Sequence, residues 1–302
     1  MKAIVLKNFG GIDQLELREV PDPKPGRGEA LVAIAATSVN PIDFKLRTGS
    51  ARGRIPFEVP GILGRDIAGQ VVELGQGVTK VRVGDRVLGL GARSYAQKAT
   101  INADALALVP DGLDLVDAAA LPLVLTTGGQ LAAHADPKPG QTILITGALG
   151  SVGRVALFVA KQRGARVIAA VRRKQVQAAQ QQLGADQVVA TDDDAAIARL
   201  PELDSIADTV AGETIAKLLP HLRSGGTLAS VLGEPPAAKG MPITVRAFVA
   251  QPDGQLLGQL AQAVAQKQLT IPIAERLPLA KAGEAQQLLE RGGVEGKILL
   301  LP

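Results

Sequence analysis

A chain of 302 residues with 46% hydrophobic side chains is long enough for two domains with buried cores, and every apolar stretch approaching twenty residues is interrupted by Gly, Pro or charge, so no membrane span is expected. It has no cysteine, which excludes disulfides, a thiolate nucleophile and a cysteine-held zinc and makes a reducing cytoplasm the expected location. A net charge of +4 with only 2% aromatic residues leaves few side chains to stack on bases, so no nucleic-acid partner is expected either.

The opening MKAIVLKNFGG lacks the apolar run of a signal peptide. Over the first hundred or so residues, short β-rich runs (KAIVL, ALVAIAATSV, GQVVEL, DRVLGL) are punctuated by Gly and Pro, which predicts an all-β, barrel-like module. From about Ala118 the texture changes to alternating strands and helices, the pattern of a mostly parallel, doubly wound sheet. The expected elements are a strand from Thr142 up to the glycine turn, a helix from Ser151, a strand from Arg166, a helix at 175–183, strands at 187–190 and 205–210, a helix at 214–222 and a strand at 227–232. Two amphipathic helices, at about 255–267 and 280–290, lead to a final ILLL strand that returns to the first module. The expected division is residues 1–117, 118–260 and a C-terminal segment 261–302.

The stretch TILITGALGSVGRVALFVAKQRGARVIAAVRRK (142–174) carries the chemistry. Gly147, Gly150 and Gly153 permit a sharp turn between strand and helix, so that Gly147, Leu149, Gly150, Ser151, Val152 and Gly153 form a candidate pyrophosphate cradle on the helix N-terminus. Val152, Val155, Ala156, Val159 and Ala160 make one apolar stripe facing the sheet, and Gly164 stops the helix. About twenty residues past the last glycine, where a carboxylate would hold the ribose of NAD, stands Arg172, followed by Arg173 and Lys174. Three cations there favour the 2′-phosphate of NADP, the alternative being a solvated basic helix start.

The segments NPIDFKLRTG (40–49), PGILGRDIAGQVVELGQGVTKVRVGDRVLG (60–89), SYAQKATINADALALVPDGL (94–113), AAALPLVLTTGGQL (118–131) and GKILLLP (296–302) resemble, in this order, the zinc-independent quinone oxidoreductase branch of the medium-chain dehydrogenase/reductase superfamily. The resemblance implies an α/β chain: an N-terminal chaperonin-10-like β-barrel-type catalytic domain and a Rossmann doubly wound parallel-sheet cofactor domain. It implies a metal-free site, since Asn40 stands where zinc-holding relatives have a cysteine and Arg65 where they have a histidine. The two histidines, His134 and His221, lie on predicted helices away from these motifs and read as surface or packing residues.

By the same resemblance Asn40 sits at the nicotinamide end of the cleft as a donor, with Asp43 fixing the loop. Lys45 stands where several relatives have a substrate-facing tyrosine, and Tyr95, the one tyrosine, is a candidate cleft residue beside its packing alternative. Further cofactor contacts implied are Thr126, Thr191, Val210, Leu232, Gly233, Phe248, Val249 and Lys297, the last with a strand-surface charge as its alternative. The implied activity is hydride transfer from NADP(H) to a quinone by a homodimer, with the TLASVLG region (227–233) extending a sheet across the two-fold axis. The alternatives are an NADPH-dependent enal or enone reductase, and, from another class, a non-catalytic NADPH-binding structural or RNA-binding protein that would bind NADPH without turnover.

Overall fold

The computed structural model describes residues 1–302, which form two compact units, Met1–Thr126 with Pro252–Pro302, and Thr127–Gln251. The first unit begins with β1 (Lys2–Leu6), β2 (Leu15–Glu19), β3 (Glu29–Ser38), α1 (Pro41–Thr48), β4 (Gly61–Ile62), β5 (Asp66–Leu74), β6 (Arg86–Leu90), β7 (Lys98–Asn102) and β8 (Leu106–Leu108). Helix α2 (Pro122–Ala135) carries the chain into the second unit: β9 (Thr142–Thr146), α3 (Ser151–Gln162), β10 (Arg166–Val171), α4 (Val176–Gln182), β11 (Gln187–Ala190), α5 (Asp194–Ile197), β12 (Leu203–Asp208), α6 (Gly212–Leu218), β13 (Leu222–Ser230) and β14 (Thr244–Ala247). The chain then rejoins the first unit with α7 (Gly254–Ala265), β15 (Ile273–Pro278), α8 (Ala282–Arg291) and β16 (Lys297–Leu301).

The units change over later, and the chain returns earlier, than the expected 118 and 260. Ala118, Ala119 and Ala120 are buried, and the Leu123 amide donates to the Asp66 carboxylate at 2.6 Å, so the start of α2 is held to the first unit. Helix α7 is held there too: its first residue, Gly254, lies so close to β8 that a Cβ would sit 2.3 Å from the Leu106 carbonyl oxygen.

In the second unit six parallel strands run in the order β11-β10-β9-β12-β13-β14, with the connection reversing direction between β9 and β12. The central strands are apolar on both faces, as a parallel sheet covered by helices requires. In β9, Ile143 and Ile145 join the core beneath α3 while Leu144 joins the opposite one with Ile206, Ile215 and Leu228. Val155, Ala156 and Ala160 of α3 are fully buried against the sheet, with Val152 and Val159 at the margin, so the predicted stripe is the packed face. Strand β14 corrects the expectation for residues 227–233: it lies outside β13, so β13 is interior and β14 is the edge.

The first unit has a three-stranded sheet, β2-β1-β4, and a seven-stranded one, β15-β16-β3-β5-β6-β8, with β7 also on β3. Strand β3 organises the latter, because its ten residues pair antiparallel with β5, β7 and β16 and are mostly buried. Its register gathers polar residues at one end of the strand. Leu299 opposes Ser38, so Lys297 lies level with Asn40; Ala36 opposes Ala68, which brings Asp66 level with Ser38. Asn40, extended at φ −130°, then caps α1, with Pro41 as its first residue and Gly49 closing it in the left-handed region.

Candidate functional site

Parallel strands place the residues that follow them on one sheet edge, and every cofactor contact expected in the second unit follows such a strand end. The glycine turn follows β9, Arg172 to Lys174 follow β10, Thr191 follows β11, Val210 follows β12, Leu232 and Gly233 follow β13, and Phe248 and Val249 follow β14. Gly147, at φ +60°, leaves the sheet where a Cβ would meet the Thr209 hydroxyl at 2.5 Å. Gly153 packs its Cα so tightly that a Cβ would lie 2.4 Å from the Gly147 carbonyl oxygen. Gly150 caps α3 with no side chain over the cap, and the first turn contains no acidic residue. The amides of Ser151, Val152 and Gly153 have no intrahelical acceptor, so the cradle suits a phosphate anion. Leu149 supports it from beneath, packing on the core while its carbonyl accepts from Arg154 Nε at 3.0 Å.

The basic run divides. All three cations are exposed, but Arg173 is engaged by the protein, its guanidinium 2.9 Å from Asp193 and its amide on Asp192 at 2.6 Å, while no such pairing ties down Arg172 or Lys174. Thr191 is a correction, because its hydroxyl donates to the Val171 carbonyl at 3.2 Å and ties β11 to β10. Phe248 stacks on His134 with ring centroids 4.3 Å apart, which uses one of its faces and makes His134 a packing residue. Val210 and Val249, 46% and 36% exposed, offer apolar surface, and Gly233 opens onto free space.

Sequence reasoning missed Asp208, the buried carboxylate that ends β12. It accepts from Thr146 Oγ1 at 2.9 Å, Ser230 Oγ at 2.9 Å, and the amides of Val210 and Ala211 at 3.0 Å. Three strand ends and the loop after β12 are thereby fixed at the point where the sheet order reverses. Its only signal in the sequence is an acid closing an apolar strand.

In the first unit, Asn40 and Lys297 meet Ser38 and Asp66 in a buried cluster. Asn40 Nδ2 donates to Asp66 Oδ2 at 2.7 Å and to the Ser38 carbonyl at 3.3 Å, while Lys297 Nζ donates to Asn40 Oδ1 and, at 3.2 Å, to the Val39 carbonyl. Asp66 also accepts from the Ser38 hydroxyl and lies 3.6 Å from the ammonium. Asn40 therefore has no free donor for an acceptor oxygen, which corrects the role expected of it. Lys297, 5% exposed, is no strand-surface charge. Burial pushes its ammonium below the usual lysine range, against the pull of Asp66 and Asp43.

Behind this cluster Asp43 accepts from the Asn40 amide at 2.8 Å and the Tyr95 hydroxyl at 3.0 Å, while its other oxygen is buried without a partner. Tyr95 is fully buried, so the expectation of a cleft residue is corrected: it positions Asp43 and, through it, the start of α1. Burial and the Asp43 carboxylate both push its phenol up. Lys45, half-buried on α1, has no side-chain partner. Thr126 is buried with its hydroxyl unpartnered.

Burial, only partly offset by its two hydrogen bonds, pushes the Asp43 carboxyl up to about 6. A carboxyl raised above its unfolded value of about 3.9 contributes stability that is fully present below pH 3.9 and is lost as pH rises through 6, about 3 kcal/mol in all. Urea titrations between pH 4 and 7 should therefore show wild type losing about that much relative to Asp43→Asn, and equal slopes for the two would place the Asp43 titration elsewhere.

Residues 26–111 match the family model of the alcohol dehydrogenase GroES-like domain, and residues 183–300 that of the zinc-binding dehydrogenases. The chloroplast envelope quinone oxidoreductase homolog of Arabidopsis thaliana is 30% identical, over all of this chain and 98% of that protein. An NADPH-dependent alkenal/one oxidoreductase of the same plant is 26% identical, over all of this chain and 80% of its own length. The quinone oxidoreductase of Coxiella burnetii superposes with a TM-score of 0.88 at 30% identity, over 100% of this chain and 99% of the other.

The zinc in one family's description does not fit the residues present. There is no cysteine, both histidines belong to the second unit, and no group of three His, Cys, Asp or Glu is gathered as a ligand set. At Asn40 and Asp66 an ammonium already faces the oxygens a cation would need.

Proposed function

The chain belongs to the medium-chain dehydrogenase/reductase superfamily, an oxidoreductase with a GroES-like unit and a Rossmann unit, and on that premise we propose that it reduces quinones with NADPH and without a metal. The observation that carries this reading is the carboxyl edge of the six-stranded sheet, where an uncapped glycine turn is followed, at the end of β10, by three exposed cations of which only Arg173 is paired with a carboxylate. NADPH, when bound, supplies the hydride. The amides of Ser151, Val152 and Gly153 hold the pyrophosphate, and Arg172 and Lys174 pair with the 2′-phosphate. Val210 and Val249 offer the cofactor apolar surface, Gly233 gives it backbone-only clearance, and Thr126 has a hydroxyl to give. Lys45 is the cation available to the negative oxygen that forms on the acceptor. The exposed edge β14 is where a second copy would extend the sheet into a dimer. No helix is long and apolar enough to cross a membrane.

The test is oxidation of NADPH and NADH by chelator-treated protein with 1,4-benzoquinone, a naphthoquinone and a simple enone. NADPH-dependent turnover of the quinones is expected. The alkenal/one relative supports a second reading, reduction of a carbon–carbon double bond, and preference for the enone would replace the first reading with that one. Loss of turnover on chelation would overturn the metal-free assignment.

Cofactor choice gives a sharper expectation. Arg172→Asp should weaken NADPH about 10- to 100-fold, the worth of one charge-assisted contact replaced by repulsion, while NADH binds as well or better. An unchanged Kd for NADPH would remove Arg172 from the site.

A further inference from the structure

We propose that Lys297 is the resident cation of the first unit's polar cluster, a positioning residue whose ammonium fixes the Asn40 amide and the Asp66 carboxylate in their working orientation. The geometry is that of a cation site: the groups facing Nζ are all oxygens, the Val39 carbonyl, Asn40 Oδ1 and Asp66 Oδ2. They come from separate places, the end of β3 and the start of β5, and Lys297 opens β16, so the ammonium joins three strand ends.

The amide between Lys297 and Asp66 has one allowed orientation. Asn40 presents its oxygen to the ammonium and its nitrogen to the carboxylate. Rotating the amide by half a turn would set Nδ2 against Lys297 and Oδ1 against Asp66, a like-charge contact at both ends. A neutral residue at 297 removes one half of that constraint. It also leaves Asp43 and Asp66, both fully buried, without a counter-charge, which matters because buried carboxylates are retained where a cation pairs with them. Among the cluster's charged groups Lys297 is the only cation, since Arg47 is turned away to Gln286 and Glu290.

The consequence for turnover rests on the proposed hydride transfer, but the placement of the cation does not, and the experiment separates the two. Lys297→Gln keeps a donor toward Asn40 Oδ1 without the charge. Its kcat should fall at least 30-fold while the Kd for NADPH, read by fluorescence, changes less than threefold. Lys297→Ala opens a space for an exogenous amine. Ethylammonium at tens of millimolar should raise its melting temperature by several degrees and its kcat at least tenfold, whereas tetramethylammonium, which has no N–H to donate, should do neither and wild type should respond to neither. If Lys297→Gln keeps kcat within threefold, or ethylammonium shifts neither melting temperature nor kcat of Lys297→Ala, the proposal is overturned. If Lys297→Ala does not fold, refolding it with and without ethylammonium gives the same reading, and equal yields count against the proposal. A wild type inactive with every acceptor overturns the hydride-transfer reading alone, because the melting-temperature response still reports on the cation.

Discussion

Gly153→Ala should raise the Kd for NADPH more than about 100-fold, a loss of roughly 3 kcal/mol. The added Cβ would stand 2.4 Å from the Gly147 carbonyl oxygen and 2.8 Å from the Ala148 Cα, distances at which atoms overlap. Both are backbone atoms of the turn itself, so no side chain can swing aside. The turn must lift away from α3, and the amides of Ser151 and Val152 lose their alignment on one phosphate. Gly258→Ala is the matched control. It lies inside α7 with its nearest neighbour, the Ala107 Cβ, at an ordinary 3.4 Å, so helix propensity alone predicts a stability gain of about 0.5–1 kcal/mol and an unchanged Kd. Fluorescence titration of NADPH beside a thermal melt measures both. A Kd for Gly153→Ala within threefold of wild type would mean that this turn does not carry the pyrophosphate.

The turn was legible because everything it needs is local. A glycine where a Cβ would meet the Gly147 oxygen, a helix stripe from Val152 to Ala160 and a cation run after the next strand all fall within one strand-turn-helix-strand stretch, and each has its own sequence signature. Boundaries were less so: β14 is four residues, TVRA, with an arginine in it and a proline shortly before, too short and too polar to read as a sheet edge. The polar cluster was half legible. Asn40 and Lys297 stood out only through a family resemblance, and their contact spans 257 positions of sequence. What joins them is strand register, which no local pattern encodes. Tyr95 shows the opposite failure: a lone tyrosine invites a functional reading, yet its ring fills the core and only its hydroxyl, on Asp43, bears on the site. Asp66 had no signal beyond an acid opening an apolar strand. Its importance comes from the donors around it.

Asp66→Asn should therefore be among the most damaging conservative changes in the chain. One carboxylate oxygen accepts from the Leu123 amide, and the other from the Ser38 hydroxyl and the Asn40 amide with the Lys297 ammonium beside it. An amide in that place must aim its NH2 at one of those donors whichever way it turns, and Lys297 loses its nearest anion. Removing one partner of a buried pair costs about 3–5 kcal/mol, enough to lower the Tm by roughly 10 °C. Turnover should fall more than 100-fold, since Asn40, the cap of α1, loses the anion that orients it and with it the placement of Lys45 on that helix. The double variant Asp66→Asn with Lys297→Met separates stability from activity. With both charges gone, no uncompensated ion remains buried, so the double variant should be at least about 1 kcal/mol more stable than Asp66→Asn alone, a coupling measurable by a double-mutant cycle in urea. It should not recover kcat, because the charges that hold Asn40 in one orientation are absent. A cycle with additive energies would mean that Asp66 and Lys297 do not sense each other. A double variant as active as wild type would mean that the cluster serves the fold and not the chemistry.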